Sequence, residues 1–275
     1  MIHPFISTRA AEPHHTIWFE TSPRHLAGRG DPRRITETLR AAGWKNHSDQ
    51  NYPQVVLASP DYRHTVVLEP EPEPYKAWWR IRSDDEQRRW STEFGAHTPV
   101  EILAALTDAL LAPVPETTPE IWPPLTAAGW TYERDARGNE SATHPDGIMS
   151  LRRRSIEPGE HFYWTAEARH DYGATRALIW HAYLDDRMPT HLIAAFTTAL
   201  ASPEPVQRAL YDVPHAHLVT QMQRGPQGKE LADTHEARLK GAHAAARKAR
   251  RSATPGTRSA PAPATDPPRT AARSR

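Results

Sequence analysis

Two short turns of this chain set a proline and an aspartate beside groups that can carry chemistry. They are Ser59-Pro60-Asp61-Tyr62, followed by His64, and His144-Pro145-Asp146-Gly147. A carboxylate within reach of an imidazole is the smallest set that can move a proton at neutral pH. The same residues also build a turn, because proline presets the second position and an aspartate side chain bonds nearby backbone N–H groups. The turn role is therefore the first reading of Ser59, Pro60, Asp61, Tyr62, Pro145 and Asp146. Asp61, His64, His144 and Asp146 stand as candidates for a small-ligand or catalytic site between two halves of the chain.

The sixteen histidines draw attention at His14-His15, at His215 with His217, and at His181 near His191. None stands at a diagnostic spacing from a carboxylate, so no metal and no cofactor is expected. Asp185-Asp186 precedes Pro189 and reads as the cap of a helix rather than an acid/base pair. The chain has no cysteine, which excludes disulfides, thiolate catalysis and cysteine-ligated zinc or iron–sulfur clusters. It also lacks the phosphate-cradling glycine loop, the dinucleotide fingerprint, His-Glu-x-x-His and Gly-x-Ser-x-Gly. The expectation is a protein that is not an enzyme.

Charge offers a different chemistry. The formal net charge is +1, yet residues 225–275 hold eleven Lys/Arg against four Asp/Glu, a local +7 that leaves −6 for residues 1–224. The densest stretch is Arg247-Lys248-Ala249-Arg250-Arg251. Clustered cations release counterions from a phosphate backbone. Residues 229–275 are thus the expected contact for nucleic acid or another polyanion, non-specific and salt-sensitive because no base-reading motif accompanies them. Trp78 beside Arg80 and Arg82 is a second candidate. On an open sheet face this trio can stack on bases; under a sister module or an arm it is simply covered.

The elements that must hold these residues occur twice. Leu39-Arg40-Ala41-Ala42-Gly43-Trp44 returns as Leu125-Thr126-Ala127-Ala128-Gly129-Trp130, 86 positions on. Pro60-Asp61 pairs with Pro145-Asp146 and Trp79 with Trp164 at an offset of 85, and Pro99 pairs with Pro189 at 90. This is a tandem duplication with a few residues inserted late in the second copy.

Ile35 and Leu39 share the apolar face of a helix from Pro32 to Ala42, with Asp31 as its cap and Gly43 as its stop. Strands are expected at 53–58, 63–69, 76–82, 88–94 and 174–183. Thr98-Pro99-Val100-Glu101 reads as a capping box opening a second helix, whose twin starts at Pro189. The fold class is α+β: two tandem modules, each helix–antiparallel sheet–helix, at 16–114 and 115–204. Residues 1–15 read as a flexible arm and 205–224 as a short helical extension. Residues 225–275 read as a basic helix passing into a disordered tail from 254. The free sheet face is left for the sister module or a partner.

Leu39…Gly43-Trp44, the literal Ser59-Pro60-Asp61-Tyr62, Trp79, and Thr98-Pro99-Val100-Glu101-Ile102 with the helix that follows together resemble the SPDY-type domain. That is a domain of unknown function found chiefly in Streptomyces-like actinobacteria, often in tandem. The lead-in Ser22-Pro23-Arg24-His25-Leu26-Ala27-Gly28 fits it too, so the resemblance spans roughly residues 16–203. The second copy departs from the name-giving motif, with His144 and Gly147 in place of Ser59 and Tyr62. The resemblance implies no activity and no catalytic residue.

Residues Met1 to Thr8 lack the basic-then-apolar order of a secretion signal, and no apolar run approaches the ~20 residues that span a bilayer. A cytoplasmic protein without membrane contact is expected. The leading function is a non-catalytic interaction protein, with sheet modules for an unidentified protein partner and a basic tail for polyanions.

Overall fold

One antiparallel sheet of ten strands runs through both copies. The computed structural model describes residues 16–70, 76–155, 161–173 and 175–253, so the arm read at 1–15 and the disordered stretch read at 254–275 lie outside it. After β1 (Trp18–Ser22) the first copy folds as α1 (Arg33–Ala41), β2 (Lys45–Asn46), β3 (Val55–Ala58), β4 (His64–Leu68), β5 (Ala77–Ser83), β6 (Trp90–Gly95) and α2 (Val100–Leu111). The second follows as α3 (Pro123–Ala127), β7 (Thr131–Arg134), β8 (Glu140–Thr143), β9 (Met149–Ser155), β10 (Phe162–Tyr172), β11 (Thr175–Asp185) and α4 (Thr190–Ala201). The chain then adds β12 (Val206–Ala209), β13 (Thr220–Met222) and α5 (Gly228–Ala253).

The strand order β2-β3-β4-β5-β6-β11-β10-β9-β8-β7 has the last strand of each copy at its centre. Each copy is a meander of consecutive antiparallel strands, and β6 joins β11 with Phe94 opposite Ala182 and Thr92 opposite Leu184. The sequence left open a face-to-face arrangement; the copies instead meet edge to edge. Each thereby covers an edge strand that would otherwise present unpaired N–H and C=O groups. Thr92 Oγ1 adds a hydrogen bond to the Tyr183 carbonyl at 2.7 Å across the seam.

Alternation along the strands fixes which face is dry. Leu57, Val66, Ile81, Thr92, Leu184 and Trp164 lie in register across six strands, and all are buried. Against that face α1, α2, α4 and α3 form one row, each touching the next. Leu103, Leu106, Ile193 and Phe196 project from α2 and α4 into the core. Phe94 meets Phe196 at 5.8 Å between ring centroids, so the inter-copy junction is filled by aromatic packing. Each such buried side chain contributes about 1.5–3 kcal/mol by leaving water.

Helix starts differ from the capping expectation in instructive ways. Asp31 Oδ1 does accept the Arg33 N–H at 2.9 Å at the head of α1. At α2 the capping box does not form: Thr98 Oγ1 is buried without a partner, and Glu101 turns away to Arg208. Asp185 caps the turn before α4 by accepting the Arg187 N–H at 2.9 Å, while Asp186 pairs with Arg153 at 3.4 Å.

Residues 205–224, read as a helical extension, are mainly extended. β12 and β13 flank β1 in a separate three-stranded antiparallel sheet, with one 3-10 turn at Ala216–Leu218 between them. A strand partner nearly 190 residues away outweighs the local helical spacing, because propensity is a weak prior against tertiary pairing. The basic segment forms α5, which lies along α1. Leu231, His235, Arg238, Leu239, Ala242 and Ala246 are its half-buried stripe, spaced at i, i+3, i+4. Among the described residues no helix is long and apolar enough to cross a membrane.

Candidate functional site

The lead-in to the first copy crosses onto the second. Arg24 donates from Nε to the Glu204 carbonyl at 3.1 Å and from Nη1 to that of Ala199 at 3.4 Å, so it satisfies carbonyls left open at the end of α4. Arg208, on β12, answers from the other side. Its Nε donates to the Ala27 carbonyl and its Nη2 to the Gly28 carbonyl, each at 3.1 Å, while both terminal nitrogens grip Glu101 at 2.8 and 2.6 Å. The guanidinium is 3% exposed, and the paired geometry is what makes such burial tolerable. Burial alone would raise the Glu101 pKa, but the Arg208 charge and its hydrogen bonds hold it below the usual carboxylate range.

Next to Arg24 along the lead-in stands His25. Its side chain is 3% exposed, and its Nε2 meets Asp146 Oδ2 at 2.8 Å. Asp146 Oδ1 in turn lies 2.9 Å from His144 Nδ1 and accepts the Ile148 N–H at 2.8 Å. The His25 and His144 rings meet edge-on at 4.5 Å, and Trp130 closes over His144 at 5.3 Å. Trp180 Nε1 donates to the His25 carbonyl at 2.7 Å, which anchors the backbone behind the ring. Burial lowers the His25 pKa, partly offset by Asp146, so the imidazole is neutral at pH 7. Burial would raise Asp146, yet the hydrogen bonds from His144 and His25 hold its carboxyl far below the ordinary range.

The structure therefore joins His144 and Asp146 to His25, and leaves Asp61 and His64 as near neighbours at the first turn. Asp61 accepts from Ser59 Oγ at 2.6 Å and from the Arg63 N–H at 3.2 Å, and its pKa, which slight burial would raise, is lowered by those bonds. His64 rests 6.0 Å from the Trp90 ring. Pro60 and Pro145 occupy equivalent turn positions. Lys45 Nζ donates to the Tyr62 hydroxyl at 2.6 Å. Sequence reasoning missed His25 as a partner of Asp146. Its only sequence signal was membership of the Ser22–Gly28 lead-in, since 121 residues separate the pair.

The family model described as SPDY, a domain of unknown function (DUF317), matches residues 58–116 and again 143–206. The chain carries two tandem SPDY domains. Each match starts at a Pro-Asp turn and runs through the helix that follows the central strand. Residues 16–57, with the lead-in and the first Gly-Trp hexapeptide, lie outside the matched stretches. No curated protein and no solved structure matches the chain. The SPDY turn of the second domain is thus the one met by His25.

Other sequence candidates fall differently. Trp78, read either as open beside Arg80 and Arg82 or as covered by the sister module or an arm, is buried. A register shift between Ala77 and Trp79 breaks the alternation, so Trp78 and Trp79 are both enclosed. Arg29 lies 5.1 Å over the Trp78 ring. Arg80 pairs with Glu69 at 2.6 Å and Glu93 at 3.6 Å, and Arg82 with Asp84 at 3.5 Å. The trio is not a stacking platform. Arg247, Lys248, Arg250 and Arg251 are all exposed on the last turns of α5. His215 and His217 join His97 and His170 in an imidazole group with ring centroids 5.9–6.4 Å apart. His14-His15 lies outside the described residues. Over α2 and α4 runs an open groove of about 620 Å³, lined mainly by alanines, with Arg24 and His191 as its titratable groups.

Proposed function

We propose that this tandem SPDY protein is a non-catalytic interaction protein that holds a polyanion, with nucleic acid as the first candidate, on a basic corner of its first domain. The observation that carries the reading is the end of α5. Four exposed cations occupy positions 247, 248, 250 and 251, and the last acidic residue of the helix is Glu236. The ion pairs Lys229–Asp233, His235–Glu37 and Lys240–Glu236 all sit in its first half. The helix is held rather than trailing: Glu37 of α1 receives His235 at 2.6 Å. A Cβ added at Gly43 would stand 3.1 Å from Arg250 Nη2, so the helix end reaches the corner after α1, where Arg40 and Lys45 are also exposed. Six exposed cations at and beside this helix end suit the repeated charge of a polyanion better than a single small ligand.

The protein partner belongs on the sheet face opposite the helices. One register line there reads Val67, Arg80, Glu93, Tyr183, Thr165, Arg152, and Tyr183 stacks on Tyr163 at 6.0 Å. Alternating charge with central tyrosines suits a polar protein surface.

The test is fluorescence anisotropy of a labelled random-sequence duplex across about 50–200 mM salt. Deleting α5 would strip its cover from α1, so the informative variant is Arg247→Gln/Lys248→Gln/Arg250→Gln/Arg251→Gln with the helix kept. The expected result is binding by the wild type and a salt slope smaller by about 3–4 in the variant. Equal slopes, or no binding at the lowest salt, would sink the reading.

A further inference from the structure

His25, His144 and Asp146 form the one group among the described residues in which three donors of metal-ligand type converge. The donor atoms are held by different parts of the fold: His25 by the lead-in, the other two by the SPDY turn of the second domain. All three lie within 4.8 Å of one another. We propose that these three side chains bind one divalent transition-metal ion of the zinc class.

The donor set argues for that class. Two imidazole nitrogens and one carboxylate oxygen suit zinc and its first-row neighbours, whereas calcium and magnesium take oxygen donors. Around a tetrahedral ion with bonds near 2.0–2.1 Å, donors stand about 3.4 Å apart. Here His25 Nε2 stands 2.8 Å from Asp146 Oδ2 and His144 Nδ1 stands 2.9 Å from Oδ1, so the ion enters between the two rings once each pair opens by about half an ångström and the carboxylate turns one oxygen, or both, toward it. The ion then takes the place of the His25 proton that points at the carboxylate, and that proton moves to the other nitrogen of the same neutral ring, so no proton is released there. At His144 the ion displaces the Asp146 N–H from Nδ1.

The surroundings are arranged as a ligand shell requires. The Trp180 bond to the His25 carbonyl and the Ile148 N–H on Asp146 Oδ1 fix the donors from behind, the role outer partners play at metal centres. Trp130 supplies an apolar wall against His144. His144 and Asp146 are each 25% exposed, which opens the remaining coordination position to water. Among the described residues the first domain has no counterpart: Ser59 occupies the place of His144, and no histidine of the lead-in is bonded to Asp61. One ion per chain follows, and it ties residue 25 to residues 144 and 146 across the two domains.

Full-length protein freed of metal by chelation would be titrated with Zn²⁺ by calorimetry and with Co²⁺ by visible absorption. The expected result is one tight ion per chain and cobalt d–d bands of low-symmetry coordination. His144→Ser, which installs the residue the first domain already uses at this turn, and Asp146→Asn should each weaken binding at least about tenfold, the scale on which even outer partners act. Circular dichroism would verify that both fold. His215→Gln/His217→Gln, which breaks the imidazole group elsewhere, should bind as the wild type does. No ion at micromolar zinc, wild-type affinity in His144→Ser, or loss confined to the His215/His217 variant would each overturn the proposal.

Discussion

In the first SPDY domain the Pro-Asp turn faces solvent; in the second it lies under a roof made by the lead-in. The backbones are the same. Ser59 N–H bonds the His64 carbonyl and Tyr62 N–H bonds that of Ser59, and the second copy repeats both bonds at His144 and Gly147, all at 2.8–2.9 Å. The residues at the fourth position both adopt positive φ, 60° for Tyr62 and 72° for Gly147. Yet the Asp61 side chain is 56% exposed while that of Asp146 is 25% exposed and bonded to two imidazoles. Proline and aspartate specify the turn in both places; what lies over it decides whether the carboxylate is a surface group or the centre of a polar cluster.

Removing the roof contact should have the largest effect. His25→Ala deletes a buried ring and strips a charged hydrogen bond from Asp146, a loss of about 3 kcal/mol. Ser59→Ala, at the first turn, removes a buried hydroxyl that donates to Asp61 and accepts the His64 N–H, and should cost about 1–2 kcal/mol. Urea unfolding in the presence of a chelator measures both. Equal losses would mean that the roof adds nothing to the second turn.

The fourth turn position gives a smaller and cleaner contrast. A Cβ at Gly147 would meet nothing within 4 Å, so Gly147→Ala tests backbone conformation alone and should cost about 1–2 kcal/mol. Tyr62→Gly relieves the same strain but gives up the Lys45 contact, and should stay within about 0.5 kcal/mol of the wild type. Thermal unfolding separates them. If Gly147→Ala were silent, positive φ would not be what selects the residue here.

Much of this was legible from local pattern. The hexapeptide repeat, the Pro-Asp turns and the stripes of α2 and α4 depend on neighbours a few positions apart, and so did the boundaries of α1 and β4. The features that escaped depend on distance in sequence. Pairing of β6 with β11 joins residues about 90 positions apart and leaves no periodicity to read. Trp78 was placed by strict alternation, which one bulge overturns. The Glu101 carboxylate matched a capping box, but the Arg208 charge is a stronger partner than a backbone N–H, and it comes from a strand that looked helical. The His25–Asp146 contact needed the lead-in to cross from one domain to the other.

His97, with His215 and Arg29 as neighbours, yields the smallest of the expected effects. Burial, with His215 and Arg29 nearby, lowers its pKa from 6.5 to about 4. The neighbouring ring of His215, 6.2 Å away, is lowered as well by burial and by His217 and His170. At the first-domain turn His64 is similarly lowered by burial and partly offset by Asp61. A histidine depressed in the folded state takes up its proton more readily when unfolded. Unfolding therefore gains protons between pH 6.5 and about 4, and stability falls as pH drops through that window. Replacing His97 by Gln removes one such group. At pH 5 the stability that wild type has lost relative to pH 7.5 should exceed the loss in His97→Gln by about 1 kcal/mol or less, since solvent screens a half-buried ring. If the two proteins lost stability in parallel, the acid sensitivity would belong to the other histidines that burial lowers, His25 under the roof among them, rather than to His97.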